Sequence, residues 1–402
     1  MSRRFLIVLV CGSVVATLSM GIRQVVGLFL LPVTADLDMT RQVFGLVVGL
    51  QNLLWGLTQP VAGLLADRFG AARVVAAGGA LYVAGLALAS ASTEATAFAL
   101  AVGVLIGLAQ SGTAYAVVLG GIGRAAPQHM RSLALGIAST AGSVGMFTLV
   151  PLTQGLIATL QWPAAFVVLA SLGLLMPLLA MGLRAGPSAA EATASEPISA
   201  RDALSAAARH PGFWMLNAGF AACGFQLAFL ATYLPSVLSD AGLGASAGAA
   251  ALALIGFSNI IGTYLCGVLG GRYRKNKVLA VLYLARTALF VMFLSLPPSQ
   301  ASAMLFAVAI GLIWTGTVPL TNGLVGDIFG TRYLGLLFAI VYIGHQLGAF
   351  AGAWAGGFAF DQTGSYALVW LGAILMGVLA ALLHWPIRDQ PIAPALAQAV
   401  RP

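Results

Sequence analysis

The sequence predicts an all-α integral membrane protein of twelve spanning helices in two parallel six-helix repeats, and three observations predict it. The 402 residues are 60% hydrophobic and 7% charged, too little polar material to coat a water-soluble fold. The chain divides into twelve apolar runs of spanning length. A charged loop motif of the first half recurs in the second.

In the first half the runs are Phe5 to Val33, Val43 to Ala66, Val74 to Ala91, Thr96 to Ile122, Leu133 to Leu160 and Pro163 to Leu183. In the second they are Phe213 to Leu238, Ala245 to Gly270, Val278 to Leu296, Ser302 to Val325, Tyr333 to Phe358 and Tyr366 to His384. Each reaches the roughly 20 residues that cross a bilayer at ~1.5 Å per residue. The first run follows a short basic start but shows no cleavage site, so it reads as an uncleaved span. Residues 184–211, rich in Ala, Ser, Glu and Pro, read as a polar connector between bundles at 1–183 and 212–402. The many glycines among apolar 20-mers allow close helix approach.

Orientation follows from the basic residues. With the N-terminus cytoplasmic, sixteen of the nineteen Lys and Arg fall on the inside and only Arg41 falls outside, while Arg23 and Arg286 sit within spans. That asymmetry places both ends in the cytoplasm. A formal charge of +8 is thereby assigned to loops facing anionic lipid, and no basic, aromatic-interleaved face reads as a nucleic-acid surface. Cys11, Cys223 and Cys266 lie far apart in apolar runs, offering neither a disulfide framework nor a metal site.

The recurring motif is Gly63-Leu-Leu-Ala-Asp67-Arg68-Phe-Gly70-Ala-Ala-Arg73, echoed by Gly267-Val-Leu-Gly-Gly271-Arg272-Tyr-Arg274. A second echo pairs Arg131-Ser-Leu with Arg332-Tyr-Leu. This GxxxDRxG loop with its second copy resembles the signature of the major facilitator superfamily. Within that superfamily Gly27-Leu-Phe-Leu-Leu-Pro32-Val, Gln59-Pro60-Val-Ala-Gly63 and Phe360-Asp361-Gln-Thr-Gly364-Ser-Tyr366 look most like bacterial relatives of the monocarboxylate and oxalate/formate carriers. The resemblance implies a bacterial inner-membrane monomer, and gating roles for Gly63, Asp67, Arg68, Gly70, Arg73 and, in the second copy, Arg272. That copy carries Gly271 where Asp is expected. The competing reading is that these charges only orient the chain.

Chemistry inside the bilayer is confined to few residues. All eleven acids fall in loops or at helix ends, whereas Arg23 and Arg286 are near mid-span with no carboxylate at their level. An unpaired intramembrane cation is costly, and a substrate carboxylate is the economical partner for a planar guanidinium. The resemblance places Arg23 on a cavity-lining first helix and Arg286 on a peripheral ninth helix; for both the alternative is a carbonyl-bound structural arginine. His345 shares one helix face with Tyr342 and Gln346 at i, i+3 and i+4, stands where the oxalate/formate carriers hold a functional lysine, and titrates near neutrality when unperturbed. The alternative is a merely hydrogen-bonded histidine.

Tyr115 is a further candidate, because similar proteins carry a tyrosine in this Gly-rich part of helix four. Gln51, Asn52, Gln110, Asn259, Thr263, Trp314 and Thr317 are weaker polar candidates, for which interhelical hydrogen bonding is an equal reading. Asn259 and Thr263 stand where monocarboxylate carriers place an Asp and an Arg.

The expectation is a secondary carrier of a small mono- or dicarboxylate by alternating access, coupled to protons or to anion exchange, with no cofactor and no metal. The alternative is efflux of lipophilic compounds. No GxxxxGK[ST] loop is present for ATP, and His345 has no intramembrane acid or second His with which to build an enzyme site.

Overall fold

A computed structural model describes residues 3–184, 200–330 and 333–391. Most of the predicted connector, residues 185–199, and Arg332 of the second echo lie outside the described residues. Every regular element among the described residues is helical. Ten stretches have the length and hydropathy of a membrane span. One of them, Gln128–Leu183, reverses at Gln161 (φ 66, ψ 169) and so holds two predicted spans. A further 29-residue helix, Arg41–Phe69, is long enough to cross but carries the polar set Gln51, Asn52, Thr58 and Gln59.

The helices are α1 (Arg3–Asp36), α2 (Arg41–Phe69), α3 (Ala71–Ser90), α4 (Ala95–Ala125), α5 (128–160), α6 (162–183), α7 (Pro211–Asp240), α8 (Ala245–Arg272), α9 (Lys275–Ser295), α10 (Gln300–Phe329), α11 (Leu334–Thr363) and α12 (Ala367–His384). A short helix, Ala200–Arg209, precedes α7. Helix starts carry ordinary chemistry: the Thr40 hydroxyl accepts from Val43 N at α2, and Ser299 and Ser302 form a reciprocal capping box at α10. Gly70, at φ 90, turns the chain from α2 into α3. Leu64, Tyr264 and Leu382 are among many large apolar side chains left exposed on the outer surface, as lipid requires.

Two spans predicted as continuous are broken. In α4 a π-helical segment, Ala99–Ile106, is followed by an extended residue, Ala114 (ψ 174). In α10 the helix stops at Leu312 and resumes at Thr317. Pro319 falls in the first turn of the resumed helix, where its missing N–H is tolerated, and the Thr315 carbonyl accepts from Val318 N at 3.0 Å.

Within residues 3–183, α1 packs on α5, and α2 and α3 on α4; within 200–391, α7 packs on α11 and α12, α8 on α10, and α9 on α12. Contacts between the two groups run through α2 against α11, α5 against α8, and the Val25–Phe29 part of α1 against α7. The α2–α11 seam is so close that a Cβ at Gly45 or Gly357 would collide with the opposing backbone. It is tied at the Arg41 end. Arg41 grips Asp240 through two hydrogen bonds of 2.5 and 3.1 Å, donates to the Tyr366 hydroxyl at 2.6 Å, and lies 3.7 Å over the Phe360 ring. The Asp361 carboxylate accepts from Gln42 N at 2.7 Å.

Candidate functional site

Near the middle of α1 the Arg23 guanidinium turns toward α2. One Nη donates to Asn52 Oδ1 at 2.8 Å, and Cζ lies 4.9 Å from the Trp55 ring centre. Val48, Asn52, Trp55 and Gln59 occupy one face of α2 at helical spacing, and each fixes the next. Asn52 Nδ2 donates to the Val48 carbonyl at 2.8 Å, leaving its oxygen aimed at Arg23, while Trp55 Nε1 donates to Gln59 Oε1 at 2.6 Å. With its N–H occupied, Trp55 presents only its π surface.

Across the α2–α11 seam, Tyr342 meets Trp55 edge-on at 5.5 Å. Tyr115 begins the lower part of α4, just past the Ala114 break, and donates from its hydroxyl to the Ser139 carbonyl at 2.9 Å. Met20, Trp55 and Ala114 form one apolar cluster, against which Tyr115 and Tyr342 pack. The structure therefore brings Arg23, Asn52, Tyr115 and Tyr342 of the predicted set together, and adds Trp55, which the sequence reading missed. Its available signal was the three-residue spacing from Asn52 on α2. Arg23, Tyr115 and Tyr342 are partly exposed. None of the four ion pairs among the described residues involves Arg23.

His345 is set back from this group. Its ring stacks parallel on Tyr342 at 5.5 Å, lies 4.6 Å from Phe220, and its Nδ1 is 3.1 Å from Gln346 Oε1. Gln346 is fully buried, and its Nε2 has no partner among the described residues.

Arg286 corrects the expectation of two free cations. It is 0% exposed, and its Nη2 donates to the carbonyls of Ile313 (2.7 Å) and Trp314 (3.0 Å) at the α10 break. Its Nη1 reaches Gln226 Oε1 at 3.1 Å and Cys223 Sγ at 3.4 Å. This is the carbonyl-bound arginine, satisfying acceptors that the interrupted helix leaves open. Asn259 does the complementary work: its Oδ1 accepts from Thr315 N and Oγ1 at 3.1 and 2.9 Å, and from Thr263 Oγ1 at 3.2 Å. Its Nδ2 donates to Ser143 Oγ on α5 at 2.9 Å.

Asn259, Thr263 and Trp314 thus surround the α10 break and not Arg23. Thr317, which starts the second part of α10, faces Cys223 at 3.2 Å. Gln110 is buried in the first bundle, donating to the Tyr82 hydroxyl at 3.4 Å, and Gln51 lines a small internal pocket with Tyr82 and Phe166.

The motif loop stands at the end opposite the Arg41 cluster. Asp67 pairs with Arg124 of α4 at 3.2 Å, and Arg68 lies 5.2 Å from the Phe69 ring. Arg73 and Arg272 are exposed, and Gly63 has open space where a Cβ would stand.

A family model described as Major Facilitator Superfamily matches residues 9–337. The chain belongs to that superfamily. It is 26% identical over 363 residues to the uncharacterized MFS-type transporter YcxA of Bacillus subtilis (strain 168), covering 89% of this chain and 88% of the relative. It is 28% identical to monocarboxylate transporter 13 of Rattus norvegicus, covering 81% and 76%. Two solved structures share the fold at 16% identity. One is an inward-facing, unoccupied bacterial homolog of the human lysosomal transporter Spinster (TM-score 0.74, 96% and 97% covered), the other a D-xylose-proton symporter (TM-score 0.72, 95% and 96%). As a superfamily member the chain is a multi-pass membrane transporter, and the family consists of carriers, not enzymes.

Proposed function

We propose that the protein is a secondary carrier for a small organic anion, a mono- or dicarboxylate, taken up or exchanged by alternating access of the bundles 1–183 and 212–402. The carrying observation is Arg23: a partly exposed mid-span guanidinium held by one neutral amide, with no acidic partner among the described residues. An arriving carboxylate supplies the missing charge and accepts from the N–H groups that Asn52 leaves unused. The monocarboxylate transporters among its relatives support the same solute class. In this reading both termini face the cytoplasm of a bacterial inner membrane, the protein works as a monomer, and protons travel on His345 or on the solute. The Asp67 loop then gates the cytoplasmic side.

A carrier of lipophilic compounds draws support from the aromatic faces of Trp55, Tyr115 and Tyr342, but Arg23 at their centre selects for negative charge. Uptake of radiolabelled carboxylates into proteoliposomes, with and without a pH gradient or internal anion, tests the proposal. Saturable uptake lost in Arg23→Gln supports it, and uptake unaffected by Arg23→Gln overturns it.

A further inference from the structure

We infer that the solute is an aryl monocarboxylate, a single carboxylate on a flat apolar body without an amine, and that Trp55 and Tyr342 select it. The inference rests on the anion-carrier reading and narrows it. Two mid-span cations are present, but both Nη atoms of Arg286 are engaged, by Ile313 O, Trp314 O and Gln226 Oε1, and the side chain is fully buried. One guanidinium remains, and a second carboxylate on the solute would be desolvated without a partner.

The polar hands of the surrounding side chains are also mostly occupied. Trp55 Nε1 is tied to Gln59 and the Tyr115 hydroxyl to Ser139 O, so a hydroxyl-rich body finds few partners there. What these rings offer is apolar: Met20, Trp55 and Ala114 are buried in one cluster, the partly exposed Tyr115 and Tyr342 pack against it, and Arg23 lies 4.9 Å over Trp55. The Tyr342 hydroxyl makes no hydrogen bond among the described residues, and its ring meets the same Trp55 over which Arg23 lies. It is thus available as a second donor to the same carboxylate. The Trp55 and Tyr342 rings, edge-to-face at 5.5 Å, form an L of which Tyr342 is the partly exposed arm and Trp55, 5% exposed, the buried one, so a planar ring stacked offset on Tyr342 abuts Trp55. No acidic side chain bonds to any of these residues among the described residues, so an α-ammonium group would go unmatched and an amino acid is disfavoured.

The test compares phenylacetate, lactate, succinate and phenylalanine as competitors of one another in substrate-binding and counterflow assays on the purified full-length protein. Wild type should prefer phenylacetate to lactate by about tenfold or more, tenfold being the scale of one aromatic contact alone. Succinate and phenylalanine should bind more weakly still. Trp55→Leu should bring the phenylacetate-to-lactate ratio to within about twofold, and Trp55→Phe should keep most of the preference. Because both ligands are read on the same protein, the ratio does not depend on the fraction folded. Equal or tighter binding of lactate or succinate by wild type, in a manner lost in Arg23→Gln, overturns this inference and leaves the carrier reading standing. A Trp55→Leu protein with the wild-type ratio also overturns it. Binding of none of the carboxylates overturns the carrier reading, and the inference falls with it.

Discussion

Two arginines that look alike in the sequence do different work. Both Arg23 and Arg286 stand in apolar runs without a carboxylate, and one dimension cannot separate them, because the carbonyls that occupy Arg286 become available only when α10 unwinds. Arg23 keeps free donors; Arg286 keeps one buried Nε without a partner and none that is open. Removing each should therefore have opposite signatures. Arg23→Gln should abolish carboxylate binding with little change in thermal unfolding in detergent, and Arg23→Lys should bind weakly, since a point charge cannot make a bidentate contact. Arg286→Leu should lower the unfolding temperature, because the Ile313 and Trp314 carbonyls each lose a buried donor at about 1–3 kcal/mol.

His345 belongs to the same scale. Its position on the Tyr342 face was legible from the i, i+3 spacing, but its burial between Tyr342 and Phe220 was not. Replacing it by Gln fixes the charge at zero while keeping hydrogen bonding. If His345 carries the coupled proton, His345→Gln should lose pH-driven accumulation and retain exchange of internal for external solute. Accumulation driven by pH alone in this variant would make the histidine structural and leave the solute as the proton carrier.

At the scale of elements, the apolar runs were legible because hydropathy alone fixes where a helix can cross. The breaks in α4 and α10 were not, because unwound backbone at mid-depth is tolerated only where tertiary partners satisfy it. At α10 those partners are Arg286 and Asn259, lying 27 and 56 residues away in sequence from the groups they bind. For Asn259 the sequence leaves solute contact and interhelical hydrogen bonding open, and in the structure it bonds to Thr315, Thr263 and Ser143. Asn259→Ala should raise amide hydrogen exchange across residues 313–317 and lower thermal stability by roughly 1–3 kcal/mol. Unchanged exchange in that segment would show that the break holds itself.

On the scale of the whole molecule, the two groups of helices are clasped at the Arg41 end, while the Asp67 loop at the other end pairs within its own bundle. The charge asymmetry that oriented the chain singled out Arg41 as the one basic residue on its side, yet nothing in the sequence paired it with Asp240, 199 positions away. The ion pair is partly buried, and the ring of Phe360 adds a cation–π contact of about 0.5–1 kcal/mol. Asp240→Asn should therefore shift the population toward opening at this end by several-fold, read as faster labelling of Tyr233→Cys, a position fully buried in the seam beside the Arg41 and Ala353 carbonyls. Labelling at the wild-type rate would show that the clasp does not hold the closed form.

Under the anion-carrier proposal, a fixed positive charge that the solute neutralises makes the carrier sensitive to membrane voltage. Loaded with a monoanion, the centre around Arg23 is electrically neutral, and its passage between the two faces moves no net charge. Empty, it returns with an uncompensated charge of one unit, for which the membrane field contributes up to about 2.3 kcal/mol per 100 mV. Exchange of one anion for another should thus ignore a potassium-diffusion potential imposed on proteoliposomes, while net one-way uptake should accelerate with one polarity and slow with the other. In Arg23→Gln any residual flux of neutral solute should lose that asymmetry.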